Sequence, residues 1–188
     1  MSMKLYLNDH IKDFDLEAGL SILPEQRREQ ALKFKYELGR RTCVAAYLLL
    51  CKGLEEEYGI FQKPIFEYGE HGKPMIVGHP EIHFNLSHCR EAVACVLSDQ
   101  PVGVDIESVR SFSESLLHYT MNETEVAIIK SAARPDIEFI RYWTMKEAFL
   151  KRSGEGLRSE MGSVLVPMPK GLTTVVSADK RYVYSICV

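Results

Sequence analysis

The chain runs twice through the same order of elements, and this constrains its fold more than any other feature. "MKLYL" (3–7) alternates as an opening strand. "LPEQRREQALKFKYELGRRTCVAAYLLLCKGLEEEYG" (23–59) carries apolar residues at helical spacing and reads as two helices that break near Gly39. A loop-rich stretch follows, with a Gly-Lys-Pro turn at 72–74. The short β-branched or aromatic runs "EIHFNL", "EAVACVL" and "VGVDIE" (81–107) then read as a meander of three strands. From there the order repeats: two or three helices across 112–153, then "LTTVVS" and "RYVYSICV" as a closing hairpin. The expected class is α+β, built from two similar lobes, 1–103 and 104–188. Setting "RTCVAAYLLLCKGL" beneath "WTMKEAFLKRSGEGL" pairs Thr42 with Thr144, Ala46 with Ala148, Tyr47 with Phe149 and Leu48 with Leu150. Any two amphipathic helices reach such a match easily, so it supports duplication only weakly. The junction of two lobes is a common place for a ligand site.

Charge and cysteine content narrow the class further. The 188 residues are 46% hydrophobic and 26% charged, an ordinary globular balance. A formal net charge of −3 disfavours non-specific nucleic-acid binding, which needs a broad basic surface. Two segments are locally basic, 27–41 and 141–158. Each alone reads as the solvated face of an amphipathic helix, and together they suggest an anion site, such as one for phosphates. The five cysteines form no C-x-x-C pair, the opening residues lack a signal-peptide apolar stretch, and "VAAYLLLC" is too short to span a bilayer. A cytoplasmic protein without a membrane anchor is expected.

Three segments could carry chemistry. In a strand, residues i and i+2 share a face, so Asp105 and Glu107 of "VGVDIE" project together. They either meet solvent at a strand end or hold a divalent cation that relieves their repulsion. Glu147 and Lys151 are four apart on a helix, either as an exposed ion pair or, with Trp143, Ala148, Phe149 and Leu150 adding apolar bulk, as a carboxylate and an ammonium suited to Mg²⁺ and pyrophosphate. Ser87 and His88 follow a strand, in a turn where hydroxyl, imidazole and backbone N–H can converge on an anion. No G-x-S-x-G elbow is present, and His79, His83 and His88 do not match a zinc pattern.

"GKP" (72–74), "FNLSH" (84–88), "VGVDIE" (102–107) and "WTMKEAFLK" (143–151), in this order and at these separations, resemble the 4'-phosphopantetheinyl transferase superfamily, most of all its Sfp-type branch of two-lobed monomeric enzymes. The likeness extends upstream through "LPEQRRE" and "GRRT". The resemblance implies two α/β lobes related by a pseudo-two-fold axis. The first (1–103) would face the adenine and 3'-phosphate of coenzyme A, and the second (104–188) would carry the metal-binding carboxylates. It implies Mg²⁺-dependent transfer of 4'-phosphopantetheine from coenzyme A to a serine of an apo acyl or peptidyl carrier protein. Asp105, Glu107 and Glu147 would hold the Mg²⁺, with Glu147 also the general base, and Lys151 would hold a pyrophosphate oxygen. Ser87 and His88 would bind phosphates, Lys73 and Pro74 would frame the adenine, and Arg41 and Thr42 would reach the 3'-phosphate. The sequence departs from the family pattern after the Pro-Glu that opens the first helix: Gln26 and Glu29 stand where basic residues are frequent, with Arg27 and Arg28 between them. The alternative reading is a relative that binds coenzyme A without chemistry.

Overall fold

The computed structural model describes residues 3–69, 71–154 and 160–188. Its described part is α+β, with six helices and three small antiparallel sheets. Strand β1 (Lys4–Asn8) leads through a 3-10 turn (Ile11–Asp13) to helices α1 (Leu16–Ser21), α2 (Glu25–Leu32) and α3 (Glu37–Tyr58). A two-stranded hairpin, β2 (Phe66–Tyr68) and β3 (Pro74–Ile76), precedes β4 (His83–His88) and β5 (Val93–Ser98). Then come β6 (Gly103–Ser108), α4 (Glu114–Thr120), α5 (Glu123–Ser131), α6 (Pro135–Ser153), β7 (Leu172–Val176) and β8 (Tyr182–Cys187). One three-stranded sheet is ordered β1-β5-β4 and the other β6-β8-β7, so in each the last strand in sequence lies at the centre.

Strand periodicity sets the layers. In β5, Cys95 and Leu97 point into a core with Leu50 and Leu54 of α3, while Ala94 and Val96 point the other way. That second face meets Val104 and Ile106 of β6 and Tyr182 and Ile186 of β8, forming the core shared by the two sheets. The alternate residues of the second sheet look toward α6. Val183 joins the core of Leu117, Ile129, Phe139 and Ile140, and Gly103 lies against the helix backbone. A β-carbon on Gly103 would overlap Ala148 O and Arg152 N, so only glycine lets β6 come this close to α6.

Three sequence expectations are corrected. The break between α2 and α3 falls at residues 33–36, and Gly39 lies inside α3, where its missing side chain leaves room for the Phe34 ring. "VGVDIE" is not the third strand of a meander: β4 and β5 pair with each other, but β6 pairs with β8, placing Asp105 opposite Ser185. The basic segment at 27–41 is largely engaged within the fold. Arg28 donates to carbonyls at the end of α1 (Leu20 O at 3.0 Å), Arg40 to Phe34 O at 2.9 Å, and the Arg27 guanidinium lies 4.8 Å from the Tyr47 ring centre. The expected strand at 3–7 and the closing β7–β8 hairpin are present, and of the two or three helices expected across 112–153 there are three.

Candidate active site

The site lies where β4 and β6, the edge strands of the two sheets, run side by side without a backbone ladder between them. Side chains of β4 take the ladder's place. The Val104 N–H donates to Asn85 Oδ1 at 2.9 Å, and the Ile106 N–H donates to Ser87 Oγ at 3.2 Å. Asn85 and Ser87 are two apart, so they share one face of β4 while Phe84 and Leu86 serve the core beneath α3. Leaving two strand N–H groups unpaired here would cost a few kcal/mol, so the polar pair is a structural necessity of the seam.

Between those two N–H groups sits Asp105, which is buried. Its Oδ1 accepts from Ser87 Oγ at 2.9 Å and from Lys151 Nζ at 2.6 Å, and Lys151 Nζ also reaches Ser87 Oγ at 3.0 Å. Asp105 Oδ2 and Glu147 Oε1 are both buried without a hydrogen-bond partner. Asp105, Glu107 and Glu147 line one cavity of about 310 Å³ together with Ser87, His88, Trp143 and Lys151. Burial, reinforced by the Asp105 charge, pushes the pKa values of Glu107 and Glu147 above the usual carboxylate range. Burial and then the Lys151 ammonium push His88 below the usual imidazole range.

Glu147 and Lys151 also border a second chamber of about 210 Å³, lined by His71, Gly72, Lys73, Pro74, Asn85, Leu150 and Gly154. The Lys73 ammonium does not point freely into it. It donates to Lys151 O at 2.8 Å and Arg152 O at 2.9 Å, closing the carbonyl end of α6, and burial lowers its pKa. Gly154 ends α6 in the left-handed region at φ 74° and lines this chamber.

The structure thus brings Asp105, Glu107, Glu147, Lys151, Ser87 and His88 around one cavity, with Lys73 and Pro74 in the adjoining chamber. Arg41 and Thr42 line neither. Arg41 is bound to Glu37 at 2.6 Å and to the carbonyls of Ile11 and Lys12, and buried Thr42 donates to Gly39 O at 3.1 Å. Among the described residues, no three His, Cys, Asp or Glu side chains converge closely enough to ligate an ion as they stand. The donor set still fits a hard cation, because two unpartnered carboxylate oxygens border the same cavity. Sequence reasoning missed two residues here. Asn85 was visible only as one member of a polar alternation in "HFNLSH". Lys146, beside Glu147, is fully buried and bonds Glu125 Oε2 at 2.6 Å, Thr120 O at 2.8 Å and Met161 O at 2.9 Å, tying α6 to the turn between α4 and α5.

Carboxylates with unpartnered oxygens beside a lysine, in a cleft between two sheets, make up a site suited to phosphoryl chemistry with a divalent cation. The comparisons with known proteins agree with that class. Residues 101–184 match the family model of the 4'-phosphopantetheinyl transferase superfamily. The chain is similar to the 4'-phosphopantetheinyl transferase AcpT of Salmonella typhimurium, at 37% identity over 140 residues, covering 71% of this chain and 69% of that protein. It is also similar to 4'-phosphopantetheinyl transferase Sfp of Bacillus subtilis, at 27% identity over 165 residues (86% and 74% covered), and to psf-1 of Bacillus pumilus, at 28% over 179 residues (86% and 77%). The chain belongs to the 4'-phosphopantetheinyl transferase superfamily and is an enzyme of that family. None of the helices described is long and apolar enough to cross a membrane.

Proposed function

We propose that this enzyme transfers 4'-phosphopantetheine from coenzyme A to a serine hydroxyl of an apo acyl or peptidyl carrier protein and releases adenosine 3',5'-bisphosphate. The observation that carries the reading is the pair of buried, unpartnered oxygens, Asp105 Oδ2 and Glu147 Oε1, in a cavity that Lys151 also borders. Asp105, Glu107 and Glu147 would hold Mg²⁺, which supplies Lewis-acid neutralisation of the diphosphate when bound. Glu147 takes the proton from the carrier serine. The serine oxygen bonds the phosphorus that bears the pantetheine arm as the bridging bond to the adenosine-side phosphate breaks. That phosphate leaves with the electron pair, and the Lys151 ammonium stabilises its growing charge. His88 binds a phosphate oxygen. Ser87, whose hydroxyl is already bonded to Asp105, acts by holding that carboxylate in place. The Lys73 stem and Pro74 frame the adenine in the adjoining chamber.

Two lobes, 1–103 and 104–188, related by a pseudo-two-fold axis, build this cleft within one chain acting as a monomer. The matching strand orders support that relation, and so do the paired helix residues: Thr42 and Thr144 are both buried and donate to the carbonyl three residues back, at 3.1 Å each. Five unpaired cysteines suit the cytoplasm. The test is to incubate the protein with Mg²⁺, coenzyme A and a panel of apo carrier proteins and follow intact carrier mass. A gain of one phosphopantetheine that EDTA abolishes is expected. Tight coenzyme A binding with no transfer to any carrier would instead leave a non-catalytic binding protein.

A further inference from the structure

The amide of Asn85 has two ends, and the fold fixes which way each points. Val104 offers an N–H, a donor, so the end facing β6 is the oxygen and the NH₂ is the other end. Asn85 is only 7% exposed, yet it borders the chamber that Lys73, Pro74, Leu150 and Gly154 enclose. An amide nitrogen with two hydrogens and no protein acceptor among the described residues therefore faces that chamber. Of the two lysines that line it, Lys73 is held by the α6 carbonyls at 2.8 and 2.9 Å and Lys151 by Asp105 and Ser87 at 2.6 and 3.0 Å, so neither ammonium is aimed at a base there.

We infer that Asn85 Nδ2 is a specificity-determining donor for the nucleotide half of coenzyme A. It reads an acceptor on the edge of the base while Oδ1 of the same amide holds β6 next to Asp105. The inference rests on the proposed function, which places the adenine in this chamber. The walls fit that occupant: a proline ring, a leucine, a glycine and a lysine stem suit a flat apolar face, and a flat base needs a polar group at its edge to fix its orientation. One side chain thus links base recognition to the strand that carries the metal-binding carboxylate, since Val104 immediately precedes Asp105.

The seam and the donor can be separated by substitution. Asn85→Asp keeps an acceptor for the Val104 N–H and turns the chamber-facing NH₂ into an oxygen. Asn85→Thr keeps a hydroxyl for the seam and removes the donor without adding charge. Isothermal titration with coenzyme A, adenosine 3',5'-bisphosphate and 4'-phosphopantetheine should show both variants losing about 10-fold or more in affinity for the first two ligands, as expected for the loss of a donor facing the bound base, with phosphopantetheine unchanged. Hydrogen exchange at the Val104 amide reports whether the seam survives, and protection close to wild type is expected in Asn85→Thr. Unchanged affinity for adenosine 3',5'-bisphosphate in a variant with a protected Val104 amide would overturn the inference. So would equal losses on both halves of coenzyme A, which would make Asn85 a structural fastening only. A wild-type protein that binds no coenzyme A would overturn the proposed function itself, a result distinct from either of these.

Discussion

Replacing Gly103 with alanine tests whether the closeness of β6 and α6 builds the site. A β-carbon there lies 3.0 Å from Arg152 Cα and closer still to Ala148 O and Arg152 N. Ordinary carbon contacts need about 3.5–4.0 Å, so strand and helix must separate by roughly 1 Å. No rotamer can relieve the overlap, because every atom involved is backbone. The cost therefore falls near the upper end of the overpacking range, about 3 kcal/mol, or roughly 6–12 °C in melting temperature for a chain of this size. The same movement carries Lys151 away from Asp105. Their 2.6 Å contact lengthens past hydrogen-bonding distance, and misplacement on this scale lowers turnover about 100-fold. The assay is carrier-protein transfer alongside a thermal melt, with Gly162→Ala as control, since a β-carbon at Gly162 meets nothing nearer than Asn122 N at 3.7 Å. Wild-type melting and turnover in Gly103→Ala would refute the reasoning.

Other substitutions probe the surrounding network. Lys146→Met leaves Glu125 buried without its cation and should cost about 3–5 kcal/mol in urea unfolding; a loss under about 1 kcal/mol would show that the pair is not what joins α6 to α5. Lys151→Ala should weaken coenzyme A binding and lower turnover together, whereas a surface ion pair would leave activity intact. Glu147→Gln should abolish transfer yet raise the melting temperature without Mg²⁺, because it removes a buried charge beside Asp105; a folded variant with near-normal turnover would refute its role. Arg41→Ala compares coenzyme A with dephospho-coenzyme A. Its bonds to Glu37 and to the Ile11 and Lys12 carbonyls predict equal losses on both, and a selective loss on coenzyme A would instead mark a 3'-phosphate contact.

The cavity-lining residues were legible because each obeys a local period. Asp105 and Glu107 share a strand face, Glu147 and Lys151 a helix face, and the structure places all four around one cavity. What the sequence hid is non-local. Nothing in "VGVDIE" says that its partner is β8 rather than the adjacent β5, because a hydrophobic strand pattern specifies a buried face and not a neighbour. Lys146 looked like one more charge in a basic helix, since burial of a lysine depends on a carboxylate and two carbonyls brought in from residues 120, 125 and 161. The arginines at 27, 28 and 41 are also partnered in ways their charge does not show: Arg28 and Arg41 donate to carbonyls and Arg27 lies over the Tyr47 ring, while the Arg41–Glu37 pair, four apart on α3, could be read from spacing.

The pairing of β6 with β8 also governs when the site can exist during synthesis. Asp105 emerges from the ribosome about 80 residues before Ser185, its partner across the ladder, so the strand bearing the carboxylate waits for most of the second half of the chain. The β1-β5-β4 sheet and α3 can assemble in the meantime, because their partners are already made. A nascent chain whose emerged part ends between residues 110 and 180 could form the first sheet but would lack β8, the partner of β6. Activity then depends on β8, and loss of β8 would unfasten the strand carrying Asp105 and Glu107 without touching any residue that lines the cavity.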